Sequence, residues 1–158
     1  MSFVKSIAAV LMLPLLVFST ALQAAEPRDI FLENESWADI RFEARGSVQA
    51  MATAYHFDMP SISAVVSGNV AGPLNLVGVK LGIAFQDTKQ DWEIYGLSPL
   101  HALNVTIQPG ETTQLGGVVM QMANGTDLSG KEHWVIMQVV VRDPQQGEVF
   151  FYAHEPQE

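Results

Sequence analysis

Residues 76–86 alternate between apolar side chains and small or polar ones. The apolar set is Val77, Val79, Leu81, Ile83 and Phe85. Successive side chains of a β-strand point to opposite faces of the sheet. This spacing therefore predicts a strand that buries the apolar set on one face.

Turn-forming Gly, Pro, Asn and Asp residues divide the rest of the chain into pieces of strand length. We predict strands at residues 62–70, 76–86, 92–95, 104–108, 114–122, 133–141 and 148–154. Residues 133–141 are apolar on both faces, which predicts a strand that is covered on both sides. Gly116 and Gly117 interrupt the strand at 114–122 and indicate a bulge.

Upstream, residues 29–57 favour one or two further strands, because Ile40 and Phe42 suit strand pairing. The alanine-rich stretch 48–55 also permits a short helix. Short strands separated by frequent turns are typical of two packed antiparallel sheets. We therefore predict an all-β fold, an immunoglobulin-like antiparallel β-sandwich of seven to nine strands, in a single domain at residues 25–158.

Residues 1–24 have the features of a cleaved signal peptide. Lys5 precedes an apolar run at residues 7–18, and Leu22-Gln23-Ala24 provides a cleavage site. The run is shorter than the roughly 20 residues that a membrane-spanning helix needs. We expect a periplasmic or secreted protein without stable membrane insertion. The chain has no cysteine, so neither a disulfide nor a lipid on a cysteine at the cleavage site is expected.

Removal of the leader makes the net charge more negative. The chain has 8 basic and 17 acidic residues. Of these, only Lys5 lies in the leader. Residues 25–158 therefore carry 7 basic and 17 acidic residues, which gives a formal charge of −10. Recognition of phosphates depends on clustered Lys and Arg. We therefore expect no nucleic-acid partner.

Three segments resemble the FxLYD-type immunoglobulin-like domains of exported bacterial proteins. They are Gly68-Asn69-Val70, residues 79–87 and the turn at residues 107–111, and the resemblance covers residues 62–115. Ile83, Phe85 and Gln86 stand where the namesake motif has Phe, Leu and Tyr, and Asp87 matches it. The resemblance implies an immunoglobulin-like fold and a structural role or an undefined activity.

The sequence shows no motif that specifies catalysis. A cysteine nucleophile is absent, and no serine lies in a Gly-x-Ser-x-Gly turn. Asp87, Asp91 and Glu93 cluster in a predicted turn and the start of a strand, where a solvated loop explains them better than an acid/base pair. We predict that the protein is not an enzyme.

A copper site is the alternative function. Residues 25–158 contain five methionines and four histidines, and thioether and imidazole groups suit copper. The candidate ligands are His56, Met59, Met120, Met122 and His133. Packing explains the methionines better than a metal site does, because Met fills irregular gaps in cores and Met120 and Met122 lie in an apolar strand. The main prediction therefore includes no cofactor.

Aromatic residues are candidates for a binding surface. Trp134 is expected to pack between the sheets, which leaves Trp92 and Tyr95 as the candidate ligand-binding pair. The sequence thus predicts an exported, non-enzymatic binding or scaffolding module of the bacterial cell envelope. Its partner would be an envelope protein or a small ligand, and a periplasmic copper-binding protein is the alternative.

Overall fold

The computed structural model describes residues 25–34, 39–86, 91–123, 128 and 131–156. The regular secondary structure in these ranges consists of β-strands. The strands are β1 (Arg28–Glu33), β2 (Ile40–Ala50), β3 (Ala54–Val66), β4 (Leu74–Gln86), β5 (Trp92–Leu97), β6 (His101–Ile107), β7 (Thr112–Ala123), β8 (His133–Asp143) and β9 (Gly147–His154). Within these ranges, no helix is long and apolar enough to span a membrane.

The predicted all-β class and the predicted strands are confirmed. Each of the seven predicted strands overlaps an observed one, and β1, β2 and the start of β3 occupy the upstream region. The short helix considered for residues 48–55 is wrong, because β2 runs to Ala50 and β3 begins at Ala54.

All nine strands belong to one antiparallel, strongly curled sheet rather than to two separate sheets. The strand order is β5-β4-β8-β9-β1-β2-β3-β7, and β6 also pairs with β4. β5 pairs with the part of β4 from Gly82 onward, and β6 pairs with the part before Lys80. The expectation of two sheets is corrected because β1 and β9 pair with each other, which joins the two halves.

Backbone and side-chain contacts join β1 to β9. Among the described residues, Glu33 and His154 are the backbone pair in register there. The Arg28 guanidinium adds a bidentate ion pair with the Glu155 carboxylate, and this hydrogen bond raises the pKa of Arg28. The same carboxylate accepts a hydrogen bond from the Val135 amide at 2.9 Å. Side chains of Arg28 and Glu155 therefore add contacts to this junction.

The curl of the sheet brings its two halves face to face around the core. β3 contributes Phe57, Met59 and Ile62, each fully buried, and β8 contributes Val135 and Met137 from the opposite half. Rings from β2 and β9 meet across the core, with the centroids of Phe42 and Phe151 6.0 Å apart. Burial of this apolar surface is the main favourable term in folding.

Bulges shift the alternation of side chains in several strands. The register of β4 shifts between Leu76 and Gly78. As a result Leu76 is buried while Val77, predicted to belong to the inner set, is only half-buried. The bulge predicted at Gly116-Gly117 is confirmed, because Gly116 has φ +83° and the pairing of β3 with β7 is irregular there. An extra residue in a strand switches the faces of those that follow it.

Candidate functional site

Strand β8 is buried on both of its faces. Val135, Met137 and Val139 point into the core, and Ile136 and Gln138, between them, point to the outside of the curled sheet yet are only 1% and 6% exposed. The prediction of a strand covered on both sides is confirmed. An antiparallel sheet commonly leaves one face to water. The burial of the outer face of β8 therefore requires an explanation.

Small residues on β4 leave space for other side chains to cover the outer face of β8. Gly82 and Ala84 lie opposite Ile136 and Trp134, their partners on β8. A Cβ atom on Gly82 would lie 2.0 Å from the backbone oxygen of Gly96 and 2.8 Å from the side chain of Leu97. The lack of a side chain at Gly82 thus leaves room for β5 to approach, and Leu97 packs against the outer cluster.

Aromatic side chains from β5 and β9 also lie on this outer face. Trp92 on β5 and Tyr152 on β9 meet edge to face, with centroids 6.1 Å apart and an interplanar angle of 71°. Edge-to-face contact is a preferred geometry for aromatic pairs. We call this surface the outer aromatic face; its residues are Lys80, Ala84, Trp92, Ile94, Leu97, Trp134, Ile136, Gln138, Val140, Phe150 and Tyr152.

The outer aromatic face presents large apolar groups to solvent. Trp92 is 51% exposed, Phe150 47% and Ile94 36%. Trp92 and Ile94 lie on β5, beside the strand that carries Ala84 of the outer cluster, and Phe150 lies on β9 opposite the buried Val140. Contiguous exposed apolar surface of this kind often marks an interaction site.

A row of polar groups crosses the middle of this face. Lys80 on β4, Gln138 on β8 and Tyr152 on β9 are direct partners in register. The Gln138 amide nitrogen donates a hydrogen bond to the Tyr152 hydroxyl at 2.8 Å. Lys80 is half-buried, and its ammonium forms no ion pair with another residue in the described ranges.

The structure separates the two aromatic residues that the sequence paired as a candidate binding site. Trp92 belongs to the outer aromatic face, whereas Tyr95 packs against the core. Alternation along β5 causes this separation, because residues three positions apart on a strand point to opposite faces; Tyr95 is also the extra residue of a bulge, since Ile83 pairs with Gly96 and the next residue of β4 pairs with Ile94. Trp134, expected between two sheets, instead lies in the outer cluster.

The candidate copper ligands lie on different surfaces. Met59, Met120 and Met122 are buried in the core, and the Met120 sulfur accepts a hydrogen bond from the Ser98 hydroxyl at 3.4 Å. His56 lies on the opposite face of β3 from Met59, and its Nδ1 atom contacts the Gln121 amide at 3.3 Å. The sequence correctly places Met120 and Met122 on one face, but His56 does not join them.

His133 stands apart at the exposed start of β8, where its Nδ1 atom contacts the Lys131 carbonyl at 2.9 Å. Across the residues that the structure describes, no group of three or more His, Cys, Asp or Glu side chains is arranged to hold a metal ion. The five candidate ligands therefore do not form one cluster in the fold.

Comparison with known proteins adds no relative to this picture: no protein-family model, curated protein or solved structure matches the chain.

Several residues of the outer aromatic face are not predicted from the sequence. They are Lys80, Gln138, Phe150 and Tyr152. A signal for them exists in the sequence, because Gly78, Gly82 and Ala84 recur at alternate positions of a strand that is otherwise strongly apolar. Small residues on one face of a strand often mark the close approach of other groups.

Proposed function

We propose that the chain is an exported, non-enzymatic binding module of the bacterial cell envelope, and that it holds its partner on the outer aromatic face. The carrying observation is that β8 buries apolar residues on both faces, while Trp92, Ile94 and Phe150 remain exposed on the outer one. Packing of the main core explains why the inner face of β8 is buried, but it does not explain the apolar residues on the outer face. Exposed aromatic residues around a desolvated centre are typical of binding surfaces.

Export is supported by the leader-like residues 1–24. The Ala25 amide donates to the Ala50 carbonyl at 3.1 Å, and the Gln49 side chain donates to the Ala25 carbonyl at 3.1 Å. Cleavage after Ala24 would turn the Ala25 amide into an ammonium group, which can donate the same bond. The proposed cleavage is thus compatible with the contacts of Ala25.

An immunoglobulin-like arrangement is the finer fold that we propose for the curled sheet. In that fold, strands A, B and E are neighbours in one layer, and C, F and G are neighbours in the other. The pairings β2–β3, β3–β7, β4–β8 and β8–β9 match A–B, B–E, C–F and F–G when β2 is strand A. β5 and β6 pair with β4, as the added C′ strand does in variable-type domains.

A binding role also accounts for the chemistry of the outer aromatic face. Its side chains are aromatic and aliphatic, with one ammonium, one amide and one phenol in the central row. These groups supply contact area, hydrogen bonds and one charge, which suit recognition. The partner is an envelope protein or a small ligand; the acidic balance of the chain disfavours nucleic acid.

Native mass spectrometry of the protein isolated from its own compartment tests this proposal. We expect a retained molecule or polypeptide on the wild type and its loss from Trp92→Ala. Val119→Ala is the control, because Val119 is 64% exposed on β7, away from this face. The proposal is refuted if no mass beyond the mature chain is retained, or if Trp92→Ala retains the partner as the wild type does. Amino-terminal sequencing of the same material should begin at Ala25.

A further inference from the structure

Lys80 is an unusual residue on the outer aromatic face. Its side chain is half-buried, and among the described residues its ammonium forms no ion pair or ring contact. Arg28 and Arg41 form ion pairs, and Arg45 and Lys131 lie over aromatic rings. Arg142 also has no such contact in the described ranges, but it is exposed near the end of β8 and lies outside the polar row. In a chain with far more acidic than basic residues, an ammonium that no described carboxylate neutralises can pair with an anionic group from outside.

The position of the polar row is also unusual for a surface that binds another protein. Such interfaces place apolar residues at the centre and polar residues at the rim. Here the order is reversed, because the row of Lys80, Gln138 and Tyr152 lies between Ile136 on one side and Val140 on the other. The ligand must therefore combine polar groups at its centre with apolar surface on its flanks.

Sugar rings have this combination of properties. The face of a pyranose ring carries C–H groups that stack on aromatic side chains, and its edge carries hydroxyl groups. Neighbouring strands are about 4.8 Å apart, so Lys80 and Tyr152 stand on strands two such steps apart, on either side of the buried Gln138. The exposed ring of Trp92 stands beside the row in contact with Tyr152.

We propose that the outer aromatic face binds a short glycan that carries one carboxylate. A sugar ring stacks on Trp92, a sugar hydroxyl bonds to the Tyr152 hydroxyl, which the buried Gln138 amide orients, and the carboxylate pairs with Lys80. One acidic group matches the one cation of the row, and the formal charge of −10 on residues 25–158 disfavours a polyanion. This inference rests on the proposed function, because it names the ligand class of the same face.

Two disaccharides that differ in one acidic group test this inference. The probes are N-acetylglucosamine linked to N-acetylmuramic acid, which carries a lactyl carboxylate, and chitobiose, which is neutral. Titration calorimetry with the mature protein should show about tenfold tighter binding of the acidic disaccharide, as a charge-assisted hydrogen bond implies. Lys80→Gln should bind both disaccharides equally, and Trp92→Ala should weaken both about fivefold or more.

Matched variants separate these effects from misfolding. Lys131→Gln removes a cation outside the row and should leave the preference for the acid unchanged. Lys80→Arg keeps the charge and should retain the preference, with the same far-ultraviolet circular dichroism as the wild type. The inference is overturned if neither disaccharide binds, if the two bind equally to the wild type, or if the preference survives Lys80→Gln.

Failure of this inference is distinguishable from failure of the proposed function. A native partner that is lost in Trp92→Ala, together with no binding of either disaccharide, would leave the outer aromatic face as a binding site and reject the acidic glycan as its ligand. Retention of the native partner by Trp92→Ala would reject the site itself.

Discussion

Replacement of Ile136 by alanine tests whether the outer aromatic face is packed like a core. Ile136 is 1% exposed although it points away from the main core. The substitution removes three carbon atoms, and at about 0.8 kcal/mol for each buried methylene the transfer loss is about 2.4 kcal/mol. Incomplete collapse of the cavity adds to this loss. We therefore expect a decrease of about 3 kcal/mol in the free energy of unfolding.

Two other isoleucines provide matched references for this measurement. Ile62 is fully buried in the main core, and Ile94 is 36% exposed on the outer aromatic face. Ile62→Ala should cost about as much as Ile136→Ala, and Ile94→Ala should cost about 1 kcal/mol. Urea denaturation followed by tryptophan fluorescence gives all three values. If Ile136→Ala costs no more than Ile94→Ala, the outer cluster is loosely packed and the reasoning fails.

Other substitutions test separate features of the fold and the site. Asn34 is buried, and its side-chain amide forms hydrogen bonds with two backbone groups of β2 at 2.7 and 2.8 Å. Asn34→Ala should lower the free energy of unfolding by about 2 kcal/mol or more in a urea titration. A decrease below about 0.5 kcal/mol would contradict this. Gly82→Ala would bring a Cβ atom within 2.0 Å of a β5 carbonyl oxygen and should cost about 3 kcal/mol or more in thermal unfolding, whereas Gly68→Ala, with open space around the added carbon, is the control and should be nearly neutral. Leucine at both Met120 and Met122 should preserve the fold and leave the affinity for Cu(I) unchanged in a competition assay; a loss of affinity would favour the copper alternative.

The sequence predicts the strands well, because turn residues and period-two alternation are local signals. It does not reveal where the alternation shifts. The bulge beside Val77 and the extra residue Tyr95 arise from pairing of β4 with strands that are distant along the chain. Each bulge exchanges inner and outer positions for the residues beyond it. The inner set predicted for β4 is therefore wrong at Val77, while the predicted strands are confirmed.

The outer aromatic face was only partly predictable for a different reason. Residues 133–141 are apolar at nearly every position, so periodicity cannot tell which set faces the core, and Trp134 was assigned to the inside. Trp92 was identified because it is a large aromatic residue on a short strand. Lys80 and Gln138 gain their significance only from the register that aligns them across β4 and β8.

Covalent labelling of Trp92 in living cells most directly tests the proposal that the outer aromatic face binds a partner. Hydroxyl radicals generated in intact cells should modify Trp92 much less than they modify it in the purified protein, because a bound partner covers the ring. Val119, which is 64% exposed on β7, should react equally in both samples. Equal modification of Trp92 in cells and in the purified protein would contradict the account.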